Sequence, residues 1–135
     1  MAQRNTWQRE RVRSALGEAG GFVSAQALHA TLRAQDTGIG LATVYRALAG
    51  LAEDGAADSL QSPEGEALYR ACTTGGHHHH LICRECGTAV EIAATPVEKW
   101  AKSVAAEHGF SEAEHVIDIF GRCSSCTAAA EARER

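Results

Sequence analysis

The chain has 135 residues, enough for one modest core or two small ones, and its net charge of −4 argues against a uniformly basic nucleic-acid-binding protein. It shows no secretory leader pattern and no apolar run long enough to span a bilayer, so we expect a soluble cytoplasmic protein. Its five cysteines form two Cys-x-x-Cys pairs plus one, an arrangement that fits metal-binding thiolates in a reducing compartment better than a secreted disulfide framework.

The composition changes near residue 70. All five cysteines and six of the seven histidines follow that position, whereas the first fifty residues carry six arginines against three acidic residues. We therefore expect a locally basic domain over residues 1–70, a hinge linker at 71–76, a metal-binding domain at 77–128 and a polar tail at 129–135.

Three short helices are predicted in the first half. The first follows the possible N-caps Asn5 and Thr6, carries Val12, Leu16 and Ala19 on one stripe, and stops at a glycine pair. The second follows Ser24, and the third begins near residue 41 after a tight connector. This spacing indicates a helix-turn-helix, and the next segment, residues 56–71, reads as two strands joined by a turn, which would form a wing.

The third helix presents a small, polar outward face. Val44, Leu48 and Leu51 fall on its inward stripe, which leaves Thr43 and Arg46 outward and Tyr45 on the flank. Such a face fits the major groove of DNA, where arginine reads guanine. The alternative is an ordinary three-helix bundle with solvated charges.

The second half predicts a small α+β unit. Strand-like segments lie at residues 81–82, 88–93 and 114–121. A helix is predicted before the last of them, with Thr95 as its N-cap and Val97, Trp100 and Val104 as its buried stripe. A unit this small has unpaired sheet edges and a limited core. We therefore expect dimerisation to bury additional surface.

The two Cys-x-x-Cys pairs predict a structural zinc site. Each motif is a tight turn that directs two thiolates to one point, and four thiolates form the closed tetrahedral set that structural zinc prefers. A redox-active pair is the alternative, but neither motif has the strand-helix context of one. The predicted ligands are Cys83, Cys86, Cys123 and Cys126.

Four consecutive histidines, residues 77–80, predict two further metal sites. The run is internal and leads into an apolar stretch, unlike an expression tag. In an extended segment successive side chains alternate between faces, so His77 and His79 would seed one site and His78 and His80 another. Residues that could complete these sites are Asp58, Cys72, Glu98, His108 and His115.

These segments together resemble the ferric uptake regulator superfamily of metal-sensing repressors. The likeness is carried by "TWQRERV", by "GLATVYRALAGLAEDG", and by "HHHHLICRECG" followed by "CSSC", and it covers nearly the whole chain. It implies a winged helix-turn-helix joined to a β-rich dimerisation domain, in a dimer that binds operator DNA when loaded with metal.

The resemblance also implies roles for individual residues. It places a dimerisation-domain zinc site at His77, His79, Glu98 and His115, and a sensory site between the domains at His78 and His80, to which we add Cys72 and Asp58. It implies DNA contacts by Tyr45 and Arg46 in the groove, with Arg9, Arg11 and Thr43 on phosphates. Iron-sensing members tend to have a carboxylate near the position of Cys72, and a thiolate there favours zinc over iron, which makes the zinc uptake regulator branch the closest likeness.

The sequence thus predicts a zinc-responsive transcriptional repressor with about three zinc ions per chain and no catalytic activity. It would act as a homodimer on double-stranded operator DNA, with no membrane or small-molecule partner. An iron or peroxide sensor of the same superfamily is the nearest alternative. A zinc-dependent hydrolase is the alternative from another class, but no general base is placed by a motif.

Overall fold

The computed structural model describes residues 2–72 and 78–134, with side chains from residue 6 onward. His77 and positions 73–76 of the predicted linker lie outside the described residues. The elements in chain order are α1 (Ala2–Ala19), β1 (Val23–Ser24), α2 (Ala25–Ala34), α3 (Leu41–Glu53), β2 (Ala57–Gln61), β3 (Ala67–Ala71), β4 (His79–Cys83), β5 (Ala89–Ile92), α4 (Thr95–Glu107), β6 (Asp118–Gly121) and α5 (Ser124–Glu134). This mixture of helices and small sheets confirms the α+β class. Among the described residues, no helix has both the length and the apolar character needed to cross a membrane.

The first three helices enclose the main core of the protein. Leu16, Leu28, Leu32, Val44 and Leu48 are almost completely buried, because each helix repeats an apolar residue every three or four positions. The three predicted helices are therefore confirmed.

Two details of the first two helices are settled by local geometry. The Oγ of Ser24 accepts a hydrogen bond from the backbone N–H of Ala27 at 3.0 Å and so caps α2 as predicted. Helix α1 starts earlier than predicted, at Ala2, so Asn5 and Thr6 lie inside it rather than at its cap. Ala19 is exposed, and Ala15 packs in the core in its place, one turn after Val12.

The predicted wing is present as the hairpin of β2 and β3. Its turn is closed by hydrogen bonds from the N–H of Gly65 to the carbonyl of Ser62 and from the N–H of Ser62 to the carbonyl of Glu66, both 2.8 Å. The sheet has the order β1-β3-β2, with Val23 opposite Tyr69. Strand β1 was not predicted, because two residues carry no periodicity that a sequence pattern could reveal.

Strand β4 is the centre of the second sheet, whose order is β5-β4-β6. It pairs antiparallel with β5 and parallel with β6, so Leu81 lies beside Val90 on one side and Ile119 on the other. The last strand begins at Asp118 rather than at residue 114, because its ladder with β4 starts only at the pair His80 and Asp118. His115 therefore precedes the strand instead of opening it.

Helix α4 differs most from its prediction. Its expected buried stripe is not buried: Trp100 is 66 % exposed, Val97 is also exposed and Val104 is only half-buried. No residue of this fully described helix is buried. Thr95 is the first helical residue rather than the cap, and Ala94 holds the cap position without a side-chain hydrogen bond.

The polar tail expected after residue 128 belongs to a helix. Helix α5 starts at Ser124, directly after the strand β6 and Cys123, and continues to Glu134. Alanine, glutamate and arginine dominate this segment, and all three are strong helix formers. Helix α5, which contains the tail, therefore begins inside the second Cys-x-x-Cys motif, and Cys126 is a helical residue. This motif does follow a strand and open a helix, contrary to the expectation that neither motif has a strand-helix context.

Candidate metal centres and nucleic-acid interface

Strand β4 and the residue before it direct histidines to two opposite sides. The side chain of His79 contacts Glu98 of α4, whereas His78 and His80 both contact Asp58 of β2. The alternation predicted for the histidine run is confirmed for these three described residues, since neighbouring side chains of an extended segment point to opposite faces.

The four cysteines of the two Cys-x-x-Cys motifs form one cluster. Cys83 ends β4, Cys86 lies in the following turn, Cys123 follows β6 and Cys126 lies in α5. Their four Sγ atoms all lie within 4.8 Å of one another, and those of Cys86 and Cys123 are 3.8 Å apart. No disulfide joins any of the five cysteines, all of which are described.

The thiols of this cluster differ in acidity. Backbone N–H groups of Cys123 and Cys86 donate to the Sγ of Cys83 and lower its pKa to about 6. A hydrogen bond with Thr88 lowers the pKa of Cys86. Hydrogen bonding with Cys123, together with burial, raises the pKa of Cys126 to about 12. The cluster therefore favours the thiolates of Cys83 and Cys86 and opposes that of Cys126. A bound dication would stabilise the thiolate form, and four thiolates are the donor set that zinc prefers.

A second cluster joins the two halves of the chain. Oδ2 of Asp58 in β2 lies 2.9 Å from Nε2 of His78 and 3.1 Å from Nε2 of His80. Donor atoms of Asp58, Cys72 and His78 lie within 4.8 Å of one another. Burial raises the pKa of Asp58, but hydrogen bonds and the positive charge of His78 and His80 lower it by more, so its carboxylate is the favoured form. One carboxylate, one thiol and one imidazole thus converge on this point, as expected of a metal site, and His80 contacts the same carboxylate without belonging to that close set.

His80 also contacts Asp118, a residue that the sequence analysis did not single out. Its Nδ1 lies 3.3 Å from Oδ1 of Asp118, while its Nε2 faces Asp58. A carboxylate that accepts the Nδ1 proton leaves Nε2 as the atom that binds metal and fixes the ring orientation. Only the parallel pairing of β4 with β6 places Asp118 opposite His80, and no sequence spacing indicates that register.

Arg70 and Glu91 form an ion pair beside this second cluster. Their side chains are 3.1 Å apart, and each sits opposite a cluster residue in its own sheet: Arg70 opposite Asp58, and Glu91 opposite His80. The wing hairpin therefore docks on the C-terminal sheet through two adjacent cross-strand pairs. No local sequence pattern predicts this ion pair, because its two residues are 21 positions apart in the chain.

The third cluster contains His79, Glu98 and His115. Oε1 of Glu98 lies 3.0 Å from Nε2 of His115 and also contacts Nε2 of His79, which is buried. The two imidazole rings are 5.1 Å apart. His77, the remaining predicted member, lies outside the described residues. His108 is exposed at the C-terminal end of α4 and belongs to none of the three clusters found among the described residues.

Residues proposed to contact DNA lie mainly on α3 and the facing part of α1. Arg46 donates to Oγ1 of Thr43 at 3.2 Å, and both line a groove between the two helices together with Arg9. Tyr45 is exposed beside them. Arg9 forms an ion pair of 2.5 Å with Asp54 at the end of α3, and Arg11 donates to Gln35 at the end of α2. Arg9 and Arg11 therefore also tie α1 to its neighbours.

Replacing Cys86 should disrupt the four-cysteine cluster. We expect Cys86→Ser to lose the bound ion and to lower the melting temperature of the C-terminal half, because three thiolates cannot close a four-sulfur shell worth on the order of 10 kcal/mol of folding free energy. Elemental analysis and thermal unfolding monitored by circular dichroism measure both effects. Cys72→Ser, the same change outside the cluster, should keep this ion. Parent-like metal content and melting in Cys86→Ser would show that the cluster is not a metal site.

Comparison with known proteins identifies the family of the chain. The model of the "Ferric uptake regulator family" matches residues 1–120. A zinc uptake regulation protein of Mycobacterium tuberculosis is 47 % identical over 123 residues, which are 91 % of this chain and 94 % of that protein.

Solved structures also resemble most of the chain. FurB of M. tuberculosis, described as a zinc uptake regulator, is 48 % identical with a TM-score of 0.51 and covers 91 % of this chain and 95 % of its own. A zinc uptake regulator in complex with zinc and DNA is 30 % identical with a TM-score of 0.71, over 92 % of this chain and 83 % of its own. This agreement in sequence and fold confirms the resemblance, and the chain belongs to the ferric uptake regulator family.

Proposed function

We propose that the chain is a zinc-responsive transcriptional repressor that binds operator DNA as a zinc-loaded dimer and controls zinc homeostasis genes in the cytoplasm. Residues 1–70 act as the DNA-binding domain and residues 77–128 as the dimerisation domain in this proposal. The observation that carries it is the second cluster, in which Asp58 of the wing, Cys72 and His78 bring their donor atoms within 4.8 Å of one another.

The donors of this cluster favour zinc over iron. A thiolate and two imidazoles are borderline to soft ligands, which suit zinc, whereas a site for ferrous iron typically has more carboxylates. Cys72 contributes the thiolate, and the hydrogen bond from its N–H to the carbonyl of Ala56, 3.1 Å long, fixes it beside the start of the wing. An iron or peroxide sensor is for this reason the less favoured alternative.

The position of the cluster suggests how metal controls DNA binding. A zinc ion there would link β2 of the wing to the histidines of the C-terminal sheet and so fix the angle between the two halves. Two recognition helices must match half-sites about one helical turn apart, so an arrangement fixed in both protomers favours the operator. Moving such an equilibrium from 1:99 to 99:1 takes roughly 5.5 kcal/mol of differential affinity, which a filled metal shell can supply.

The three clusters support a capacity of three zinc ions per chain. The four cysteines are a closed shell with the character of a structural site. The cluster of His79, Glu98 and His115 lies entirely in the C-terminal half, where the neighbouring His77 is proposed as the fourth ligand. A zinc hydrolase would need an open coordination position with a general base, and Glu98, the carboxylate nearest to these histidines, already contacts two of them.

Exposed apolar side chains indicate where the second protomer binds. Leu81, Val90 and Ile119 stand side by side across the three strands of the C-terminal sheet, and all three are exposed. Leu81 follows His79 by two residues and so points to the same side of the strand. Contiguous apolar surface of this kind marks a protein interface, and we propose that it is the dimer interface.

Replacing the thiol of Cys72 tests the proposed sensory site independently of the four-cysteine cluster. We expect Cys72→Ser to remain a folded dimer with the four-cysteine ion in place, but to lose the second ion and to require much more free zinc for operator binding, since a hydroxyl is a poor zinc ligand. Titrating operator binding against buffered free zinc, with elemental analysis of both proteins, measures this. Overlapping titration curves would remove Cys72 from the site.

The parent protein in the same titration tests the proposed function itself. Its operator affinity should rise with free zinc and fall when a chelator is added, while ferrous iron at matched free concentration should have a smaller effect. An affinity independent of zinc would refute the proposal.

Arg46 should contribute to sequence recognition. We expect Arg46→Ala to weaken operator binding by roughly 1–3 kcal/mol, the usual cost of a lost base contact, with unchanged zinc content. Arg133→Ala, which removes the same charge from α5, should have no such effect. Fluorescence anisotropy with operator and random DNA measures both. Equal losses on the two DNAs would assign Arg46 to a phosphate instead of a base.

A charge placed among the exposed apolar side chains of Leu81, Val90 and Ile119 should weaken the dimer. We expect Ile119→Glu to raise the dimer dissociation constant at least about tenfold, because a carboxylate would be buried without a partner in the interface. Ser111→Glu, a charge added to an exposed loop, is the control. Sedimentation velocity at several concentrations measures the dissociation constant. A dimer as tight as the parent would place the interface elsewhere.

A further inference from the structure

The two halves of the chain also touch through a pair of glycines outside the Asp58 cluster. The backbone N–H of Phe22 donates to the carbonyl of Gly87 at 2.9 Å. A Cβ added at Gly21 would lie 2.5 Å from the carbonyl oxygen of Gly87, and one added at Gly87 would lie 2.4 Å from that of Phe22. Real Cβ contacts are never so short, so the two backbones approach this closely only because both residues are glycine.

Phe22 extends this contact into a core shared by both halves. Its ring is buried in a cluster with Leu60 of β2 and Ile82 of β4, and Phe120 of β6 packs against the same cluster. The ring also meets that of His80 edge-on, with centroids 5.2 Å apart. The residues that enter the C-terminal half at this point therefore come from the loop after α1 and from the wing.

Gly87 belongs to the turn of the first Cys-x-x-Cys motif. Its N–H donates to the carbonyl of Cys83 at 2.9 Å, and the N–H of Cys83 donates to the carbonyl of Thr88 at 2.8 Å. The φ angle of Gly87 is +81°, a value that favours glycine. The direction of the Gly87 carbonyl thus depends on the shape of this turn. The same turn carries Cys83 and Cys86, whose thiol groups belong to the four-cysteine cluster.

The contacts between the halves extend along the length of β4. Asp58 and Arg70 dock on His80 and Glu91 near the start of the strand. The backbone of Gly21 and Phe22 docks on the turn that follows its last residue, Cys83, and the Phe22 ring reaches back to His80. If the N-terminal half contacted only one end of β4, it could still rotate about that contact. A second contact several residues along the strand, where each residue adds about 3.3 Å, removes most of this freedom.

We propose that the turn Cys83–Gly87 is a docking surface for the DNA-binding half, with Gly21 and Phe22 as positioning residues. The ion of the four-cysteine cluster then has a second role besides stabilising the C-terminal half: it shapes the surface that sets the angle of the recognition helix. The inference rests on the proposed function for its link to DNA, but the docking itself is a property of the chain.

Gly21→Ala tests the docking by inserting one methyl group. Gly21 has a backbone conformation that any residue can adopt, so alanine adds only the clash with Gly87. We expect operator affinity at saturating zinc to fall at least tenfold, with the four-cysteine ion, the dimer and the far-ultraviolet circular dichroism unchanged. Small-angle X-ray scattering should show a larger radius of gyration, a readout independent of DNA. Gly17→Ala is the matched control, since a Cβ there meets no atom within 4 Å.

Each other result of these experiments either supports or contradicts the proposed docking. Parent-like operator affinity and scattering in Gly21→Ala would overturn it. If that variant fails to fold, Phe22→Leu, which keeps a buried apolar residue but loses the ring contact with His80, takes its place: a lower operator affinity with normal zinc content supports the docking, and parent-like affinity overturns it. If the parent itself does not bind operator DNA in response to zinc, the proposed function fails, and the scattering comparison still tests the docking.

Discussion

Each of the three clusters found among the described residues takes a side chain from the short strand β4 or from His78, the residue before it. The alternation of its side chains sends His79 towards α4 and His80 towards the wing, and its last residue, Cys83, joins the four-cysteine cluster. Because β4 is the central strand of its sheet, paired on both edges, these ligands are held by a ladder of backbone hydrogen bonds on each side. A change in the register of β4 by one residue would exchange its two faces and disconnect all three clusters.

Charged and ionisable groups dominate this region, and they are arranged in compensating sets. Asp58 faces His78 and His80, Glu98 faces His79 and His115, and Arg70 faces Glu91. In the first two of these sets, histidine ring nitrogens lie within hydrogen-bond distance of a carboxylate oxygen. The four cysteines differ, since they have no basic partner within their cluster and raise the pKa of Cys126 instead.

The C-terminal half has little apolar core of its own. Its buried cluster contains Ile82 and takes Phe22 and Leu60 from the DNA-binding half, whereas Trp100, Val90 and Ile119 remain exposed. A unit of about sixty residues with so little burial needs other stabilisation, and a bound metal, a second protomer and the N-terminal half would each add to it. The proposed function and the proposed docking therefore make metal binding, dimerisation and the angle between the halves physically linked.

The sequence by itself determined the elements whose signals are local. The three helices around Leu16, Leu28 and Leu48, the hairpin of the wing, the paired cysteine motifs and the alternation of His78, His79 and His80 all follow from spacing along the chain. Tertiary structure decided what depends on contacts between distant segments: the pairing of β4 with β6 that puts Asp118 opposite His80, the close approach of Gly21 and Gly87, and the exposure of Trp100. A stripe of apolar residues on a helix specifies that a face is to be covered, but it does not specify whether the same chain or a second copy covers it.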